Sequence, residues 1–315
     1  MAADPRGTLN PQVKVLFDMM AAGRATRVLE PKALREGLGA LAALLAAGAP
    51  AVASTKMIEI PGPAGKIPAR VYSPGDAKKG PYPVLVYFHG GGYVAMNLDT
   101  HDKICKQLCA GIGAVVVSVD YRLAPEARYP APLEDCLAAW RWVAKNAAEL
   151  GGDASRIAAG GDSAGGNATA AVTLRLIAAG EKTPRALLLL CPWLEMSLDT
   201  ESMKTFGPND GVLDTDIMTF FRDSYVRPGD WADPFASPLR GDLSKFPPTL
   251  VLAGAIDPLR DDALQFAKKL EKAGRDVTLS TYAGMPHDFM LFPGIDDGDR
   301  AVAEITRYAK AKLGA

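Results

Sequence analysis

Apolar residues along the chain fall into short continuous runs separated by longer amphipathic stretches. The runs PVLVYF, AVVVSV, ALLLLC and TLVLA contain almost no polar residues, which is typical of strands buried on both faces of a parallel sheet. Eight segments are predicted as strands: 56–60, 67–73, 83–88, 114–119, 156–160, 185–191, 249–253 and 276–282. The first two have no helix between them and are predicted to form an antiparallel hairpin at the edge of the sheet.

Helical periodicity fills the gaps between most of these strands. Strand and helix alternate from residue 83 onward, which predicts a doubly wound α/β fold: an eight-stranded, mostly parallel sheet flanked by helices. The helices predicted within this alternation are 101–111, 133–150, 164–179, 261–273 and 300–312, and those outside it are 11–22, 32–47 and 214–225.

Two regions interrupt the alternation. One precedes the first strand, and the other separates the sixth strand from the seventh by far more than the usual ~4–6 residues. Long insertions above a sheet form lids or binding loops, so both regions are predicted to build a helical cap. The predicted division gives residues 1–50 and 194–247 to the cap and residues 51–193 and 248–315 to the core.

Composition limits the classes of protein and partner. The chain has 315 residues, 48% of them hydrophobic, which is enough for one large, well-filled domain. A formal net charge of −1 gives no electrostatic footprint for nucleic acid, so a small or neutral substrate is expected. The most apolar run, residues 38–53, is too short and too weakly hydrophobic for a transmembrane segment, and a helix lying against the body is predicted there.

The four cysteines and the N-terminus bear on location. The N-terminus lacks the basic-then-apolar layout of a signal peptide, and a cytoplasmic protein is expected. Cys105 and Cys109 would share one helix face, but no second pair and no nearby histidine completes a metal site. All four cysteines are therefore interpreted as buried thiols, and neither a metal nor a cofactor is expected.

The segment Gly161-Asp162-Ser163-Ala164-Gly165 stands between a predicted strand and a predicted helix. A sharp strand–turn–helix of this kind holds a nucleophilic serine, and glycines on either side remove β-carbons that would clash. The helix N-terminus favours the negative charge that develops there. An ordinary Gly/Ser loop is the plainer interpretation, but the flanking elements favour Ser163 as the nucleophile.

A second glycine-rich segment, His89-Gly90-Gly91-Gly92, directly follows the strand 83–88. Acyl transfer passes through an oxyanion that needs preorganised N–H donors, and glycine lets the backbone approach the substrate closely. The amides of Gly91, Gly92 and Ala164 are the predicted donors. A phosphate-binding loop is disfavoured, because no Lys-Ser/Thr follows and the GxGxxG spacing is absent.

A serine hydroxyl needs a general base, and the chain contains three histidines. His287 lies in a loop after the last predicted strand, where a chain order Ser…Asp…His would place the base. His89 is predicted to brace the glycine loop by hydrogen bonding, and His101 to pack or cap at a helix start. His287 is therefore the predicted base.

The base needs a carboxylate to hold its tautomer and stabilise the imidazolium. Asp257 follows the strand 249–253, at the strand end where ligand-facing residues collect. Asp261 is the alternative, although it begins the next predicted helix and suits the first turn. The segment DYRLAPE at 120–126 predicts an internal arginine–carboxylate network that braces the floor of the site.

Five motifs together resemble the bacterial and archaeal branch of the hormone-sensitive-lipase-like esterases, a family of the α/β-hydrolase fold. They are HGGGYV at 89–94, DYRLAPE at 120–126, GDSAGGN at 161–167, DPLRDD at 257–262 and HDF at 287–289. The resemblance implies a cytoplasmic esterase with a Ser-Asp-His triad, a helical cap and a preference for short to medium acyl chains. In that family glycine usually follows the catalytic histidine, whereas this chain has Asp288.

The predicted function is hydrolysis of a small-molecule carboxylic ester through an acyl-enzyme. Two alternatives stay open: a small-molecule binding module on the same fold, and an amide or arylformamide hydrolase with the same triad. An edge strand at 276–282 would allow a homodimer across a two-fold axis. The residues predicted to line an apolar acyl pocket are Tyr93, Trp193, Phe206, Phe220, Phe221 and Met285.

Overall fold

A computed structural model of the chain describes residues 6–24, 27–76 and 79–315, and one sheet of eight strands runs through it. The spatial order of the strands is β1-β2-β4-β3-β5-β6-β7-β8. The strands are β1 (Ser54–Gly62), β2 (Gly65–Ser73), β3 (Tyr82–Phe88), β4 (Val115–Val119), β5 (Gly152–Asp162), β6 (Leu187–Leu190), β7 (Thr249–Gly254) and β8 (Val277–Tyr282).

Strand directions confirm the predicted mixed sheet. β1 pairs antiparallel with β2, with Ser54 opposite Ser73, and β2 pairs antiparallel with β4. All pairs from β4 through β8 are parallel. The carboxyl ends of these parallel strands therefore meet at one edge of the sheet, where an α/β fold places its ligand site. β8 ends the sheet on one side, so the strand proposed for self-pairing is an edge strand.

Helices cover both faces of the sheet. Every residue of β4, β6 and β7 is therefore buried, which explains why these strands are apolar throughout. Apolar residues of α5, α6 and α9 fill one face, and those of α1, α4 and α10 fill the other. The helices are α1 (Pro11–Arg24), α2 (Pro31–Ala40), α3 (Ala42–Leu45), α4 (Asp102–Ile112), α5 (Ala131–Asn146), α6 (Ala164–Ala178), α7 (Glu201–Phe206), α8 (Thr215–Tyr225), α9 (Arg260–Lys272) and α10 (Asp296–Leu313).

The N-terminal region differs from its prediction. The expected helix 32–47 is broken at Leu41 into α2 and α3, and the apolar run 38–53 is not one helix because helical structure ends at Leu45. Gly48 has a φ of 74°, a left-handed conformation that no helix continues. The short helix α7 was not predicted, since its six residues are too few for a periodic pattern.

The two predicted cap segments contact each other and the core. Arg27 Nη2 lies 2.8 Å from Asp214 Oδ2 in the insertion. Arg35 on α2 donates to the carbonyl oxygens of Val94 and Ala124, each at 2.8 Å, and pairs with Glu126. These contacts hold the N-terminal helices over the carboxyl ends of the strands. No helix among the described residues is long and apolar enough to cross a membrane.

Candidate active site

Ser163 stands at the sharp turn between β5 and α6. Its φ of 51° and ψ of −117° are strained for a residue with a side chain, as expected where a serine is held out on a nucleophile elbow. A β-carbon at Gly161 or at Gly165 would collide with the carbonyl oxygen of Phe88. Glycine at both positions is therefore what lets β3 approach the turn.

The structure brings Asp257, not Asp261, to the imidazole of His287. Nδ1 of His287 lies 2.9 Å from Asp257 Oδ2, and both side chains are buried. The other oxygen of Asp257 accepts the N–H of Leu259 at 2.8 Å, which fixes the orientation of the carboxylate. Asp261 instead accepts the N–H of Ser202 at 2.9 Å.

The second ring nitrogen of His287 faces a different carboxylate. Nε2 lies 3.1 Å from Asp288 Oδ2, and no hydrogen bond joins Ser163 Oγ to His287 within the described part of the chain. Burial opposes the charged imidazole, but the negative charges of Asp257 and Asp288 outweigh it and hold the pKa of His287 well above 6.5. Serine, imidazole and Asp288 nevertheless line one cavity.

Gly91 and Gly92 form the other wall beside Ser163. Their φ angles of 107° and 63° lie in the left-handed region, which glycine adopts freely. Among residues 6–24, 27–76 and 79–315, no acceptor takes the amide N–H of either glycine. The N–H of Ala164 opens α6 and has no acceptor within that helix. Three amides are thus available near the serine, and they are the three that the sequence analysis proposes as oxyanion donors.

His101 lies beneath the elbow and does not cap its helix with its side chain. Its Nε2 lies 3.1 Å from Asp162 Oδ2, and Tyr87 donates its hydroxyl to Asp162 Oδ1 at 2.6 Å. All three side chains are fully buried. Burial opposes ionisation of this pair, but their mutual attraction raises the pKa of His101 and lowers that of Asp162. The pair ties the residue before Ser163 to the start of α4.

His89 braces the glycine loop, as the sequence predicted. Its Nδ1 lies 2.7 Å from the carbonyl oxygen of Gly90, and Tyr121 donates its hydroxyl to the His89 carbonyl at 2.6 Å. The two rings stack with centroids 4.4 Å apart. Burial lowers the pKa of His89 to about 4, with a smaller contribution from His101, so this ring is neutral at physiological pH.

The segment 120–126 takes part in two separate arginine–carboxylate pairs and does not form the single internal network that was predicted. Arg122 pairs with Asp135 of α5 at 2.7 Å, whereas the carboxylate of Glu126 is 64% exposed and pairs with Arg35 of α2 at 2.7 Å. The first pair supports the core, and the second holds an N-terminal helix. All four cysteines are buried and free, as predicted.

A cavity of about 480 Å³ opens onto the serine. Its walls come mostly from apolar side chains of α1–α3, of the insertion and of the loop after His287, which suits an uncharged organic ligand. The lining residues include Met19, Met20, Val28, Leu34, Gly37, Leu38, Leu41, Leu45, Met96, Val212, Leu213, Ile217, Phe221, Leu291 and Phe292.

Of the six residues predicted to line the pocket, Phe221 does so, and the other five need correction: Tyr93, Trp193, Phe206, Phe220 and Met285. Tyr93 is turned into the core, where its ring stacks 3.8 Å from that of Tyr225. Trp193 is fully buried and donates its indole N–H to the carbonyl of Glu195 at 3.0 Å. Both aromatic side chains serve the scaffold.

The remaining three residues also do not line the cavity. Phe206 packs in the core with the guanidinium of Arg260 5.1 Å from its ring centre, and Met285 is fully buried in the same cluster. Phe220 adjoins Phe221 on α8, and consecutive helical residues face different directions. Sequence analysis did not identify the leucines of the α2–α3 region as cavity-lining residues. Their helical spacing was a signal that could have done so, at Leu34, Leu38, Leu41 and Leu45.

Comparison with known proteins shows the family of the chain. A family model described as the α/β-hydrolase fold matches residues 85–291. The carboxylesterase NlhH of Mycobacterium tuberculosis is 43% identical over 233 residues, which cover 72% of each chain. An ethyl acetate hydrolase of Pseudomonas putida is 34% identical over 318 residues, covering 97% of this chain and 100% of that protein. The carboxylic ester hydrolase LipN of M. tuberculosis is 41% identical, and the match spans 66% of its length.

Solved structures that resemble the chain over nearly its whole length are also esterases. A hyperthermophilic esterase from the archaeon Pyrobaculum calidifontis superposes with a TM-score of 0.90 at 37% identity, covering 98% of this chain and 99% of that one. EstE1, a thermostable carboxylesterase from a metagenomic library, gives 0.87 at 40% identity, covering 90% and 98%. The chain belongs to the α/β-hydrolase fold family, and within it to the hormone-sensitive-lipase-like carboxylesterases.

Proposed function

We propose that the enzyme hydrolyses short- to medium-chain acyl esters through a covalent acyl-enzyme on Ser163, with His287 as general base and Asp257 as its orienting acid. The observation that carries the proposal is the shared cavity. Ser163 on its strained turn, the amides of Gly91 and Gly92, and an imidazole anchored by a buried carboxylate all border one apolar space.

The chemistry follows from these positions. Ser163 Oγ attacks the ester carbonyl while its proton passes to Nε2 of His287, and Asp257 stabilises the resulting imidazolium. The amides of Gly91, Gly92 and Ala164 receive the negative charge on the carbonyl oxygen. The alcohol leaves with the proton from Nε2. Water then attacks the acyl-enzyme in the same way and releases the acid, so no proton is gained or lost at the triad.

The cavity supports the acyl-chain range. Its volume of about 480 Å³ falls at the lower end of the ~300–1,000 Å³ typical of small-molecule sites. Its apolar walls favour an alkyl chain, and the helices of the N-terminal segment limit its length. The chain-length preference in this proposal therefore comes from α1–α3 and from the insertion, rather than from the sheet.

Hydrolysis of a series of p-nitrophenyl esters tests the proposal. The wild type is expected to cleave the acetate to octanoate esters, with a maximum at intermediate length, and Ser163→Ala is expected to lose at least ~10³-fold in kcat. Ser244→Ala, at an exposed serine outside the cavity, is the matched control and should retain full activity. Equal turnover by Ser163→Ala and the wild type would refute the assignment, and faster cleavage of matched anilides would favour amide hydrolysis.

A further inference from the structure

Asp288 places a second carboxylate on the imidazole of His287. Its Oδ2 lies 3.1 Å from Nε2, the nitrogen that the proposed mechanism directs at Ser163. Its Oδ1 is buried without a hydrogen-bond partner among the described residues. The backbone has a φ of 48° and a ψ of 32°, a left-handed conformation that aspartate adopts more readily than most residues. This turn carries the carboxylate back onto the ring.

Carboxylates on both ring nitrogens favour one protonation state. A neutral imidazole has a single N–H, so one carboxylate would face a lone pair, whereas an imidazolium donates from both nitrogens. Nδ1 is hydrogen-bonded to Asp257 at 2.9 Å and Nε2 lies 3.1 Å from Asp288 Oδ2, so a carboxylate stands beside each nitrogen and favours the imidazolium. A protonated ring cannot accept the proton of Ser163.

We propose, on the basis of the ester hydrolysis proposed above, that Asp288 is a positioning residue. It holds His287 as an imidazolium whose Nε2 is engaged by the Asp288 carboxylate. The serine is activated only after the Asp288–His287 ion pair opens and Nε2 releases its proton to solvent. Asp288 thereby sets the pH at which the enzyme becomes active.

Two further carboxylates near the ring act in the same direction, and the imidazole of His101, which is paired with Asp162 and also feels the charge of Asp288, opposes them. Asp210, buried in the insertion, and Asp162, at the end of β5, are both negative neighbours of this pair. The thiol of Cys191, directly after β6, lies within 4.8 Å of a ring nitrogen of His287 and a carboxylate oxygen of Asp257. It stays neutral because burial raises its pKa.

The two arginines that line the cavity, Arg24 and Arg27, are both paired with Asp214.

Burial raises the pKa of the Asp288 carboxyl, and the neighbouring carboxylates raise the pKa of the His287 imidazole despite its burial. Both groups are charged at a pH above the first pKa and below the second. Activity should therefore rise with pH on the alkaline side of neutrality, as His287 loses its proton, and removal of the Asp288 charge should move this rise to lower pH.

Histidine NMR tests the proposal without using catalysis. The chain has three histidines, and His287→Gln assigns the resonance of His287 in ¹⁵N-histidine-labelled protein. Asp288→Asn should lower the titration midpoint of His287 by about 1–3 pH units, the range for one nearby opposite charge. Asp288→Gly should do the same and suits the left-handed backbone, whereas Asp299→Asn, an exposed carboxylate on α10, should leave the midpoint unchanged.

A second comparison separates positioning from a merely structural role. When Asp288 is present, Ser163→Ala should leave the ¹⁵N shift of His287 Nε2 unchanged, because Asp288 holds that nitrogen. In the Asp288→Asn background, Ser163→Ala should alter this shift. The pH at which kcat/KM rises should move with the NMR midpoint.

Either of two results would overturn the role of Asp288: an unchanged His287 midpoint in both Asp288 variants, or a response to Ser163→Ala in the wild type equal to that in Asp288→Asn. If the midpoint shifts as expected but the wild type cleaves no ester, the proposed function fails and the ion pair stands.

Discussion

Asp257 and His287 are joined by a contact of 2.9 Å between Oδ2 and Nδ1, in a setting where both side chains are buried. Sequence analysis left two aspartates as candidates for the orienting acid, and the second, Asp261, lies in the first turn of α9. Its carboxylate accepts the N–H of Ser202 and contacts Arg260. The structure therefore separates two aspartates that motif spacing alone could not distinguish.

Asp257→Asn should lower kcat by about 10⁴-fold, because the amide would hold the imidazole in the wrong tautomer and could not stabilise its charged form. Steady-state hydrolysis of p-nitrophenyl butyrate measures this loss. Asp261→Asn is the matched control, and its kcat should stay within a few-fold of the wild type. A larger loss in the Asp261 variant than in the Asp257 variant would reverse the assignment.

Gly92→Ala should lower kcat/KM by about 10²-fold or more, because displacing one oxyanion donor costs that much. An added β-carbon would collide with the ring of Phe221, and the φ of 63° is unfavourable for alanine. Gly113→Ala is the control for backbone strain, because Gly113 has a φ of 73° and does not line the cavity. An added β-carbon at Gly113 meets open space. Equal losses of activity in the two variants would mean that backbone strain, and not displacement of an oxyanion donor, causes the loss.

Gly37→Phe should shorten the preferred acyl chain. Gly37 lines the cavity on α2, has no atom within 4 Å of an added β-carbon and sits in a helix, so the larger side chain can enter the cavity without breaking the fold. Rates on octanoate esters should fall about tenfold or more relative to acetate esters, since a blocked pocket excludes buried methylenes, each of which contributes ~0.8 kcal/mol.

Gly39→Phe provides the control for that experiment. Gly39 lies on the same helix with equally open surroundings but does not line the cavity. Its chain-length profile should match that of the wild type. A profile that shifts equally in both variants would show that α2 does not form the acyl pocket.

His101→Gln should lower the free energy of unfolding by about 3–5 kcal/mol at pH 6, because it leaves the buried Asp162 carboxylate without its charged partner. The pKa of His101 is raised in the folded state, so this contribution is complete below its unfolded value of about 6.5 and is lost as pH rises through the folded value. Urea unfolding at pH 6 measures the difference, and a loss below about 1 kcal/mol would contradict the role given to the pair.

Much of the sheet and of the catalytic loops could be predicted because their signals are local. A buried strand is a run of apolar residues, and the nucleophile elbow is a turn whose glycines lie two residues from Ser163. The region before β1 could not be predicted to the same depth. Its helices are short, as the break at Leu41 shows, and their lining residues are defined only by packing against distant segments.

The aromatic residues proposed for the pocket illustrate the same limit. A large apolar side chain signals burial, but the sequence does not say whether it faces a cavity or the core. Trp193 and Tyr93 face the core, where their polar atoms find partners in Glu195 and Asn167. Asp288 shows the converse, because its contact with Nε2 depends on one left-handed residue that no periodicity indicates.

Covalent labelling by a fluorophosphonate tests whether Ser163 is an activated nucleophile, because only an activated serine reacts. We expect one adduct per chain, mapped by peptide mass spectrometry to Ser163, with a rate that falls strongly in Asp257→Asn and in His287→Gln. Modification of a serine other than Ser163, or labelling of Ser163 at the same rate in wild type and His287→Gln, would contradict it.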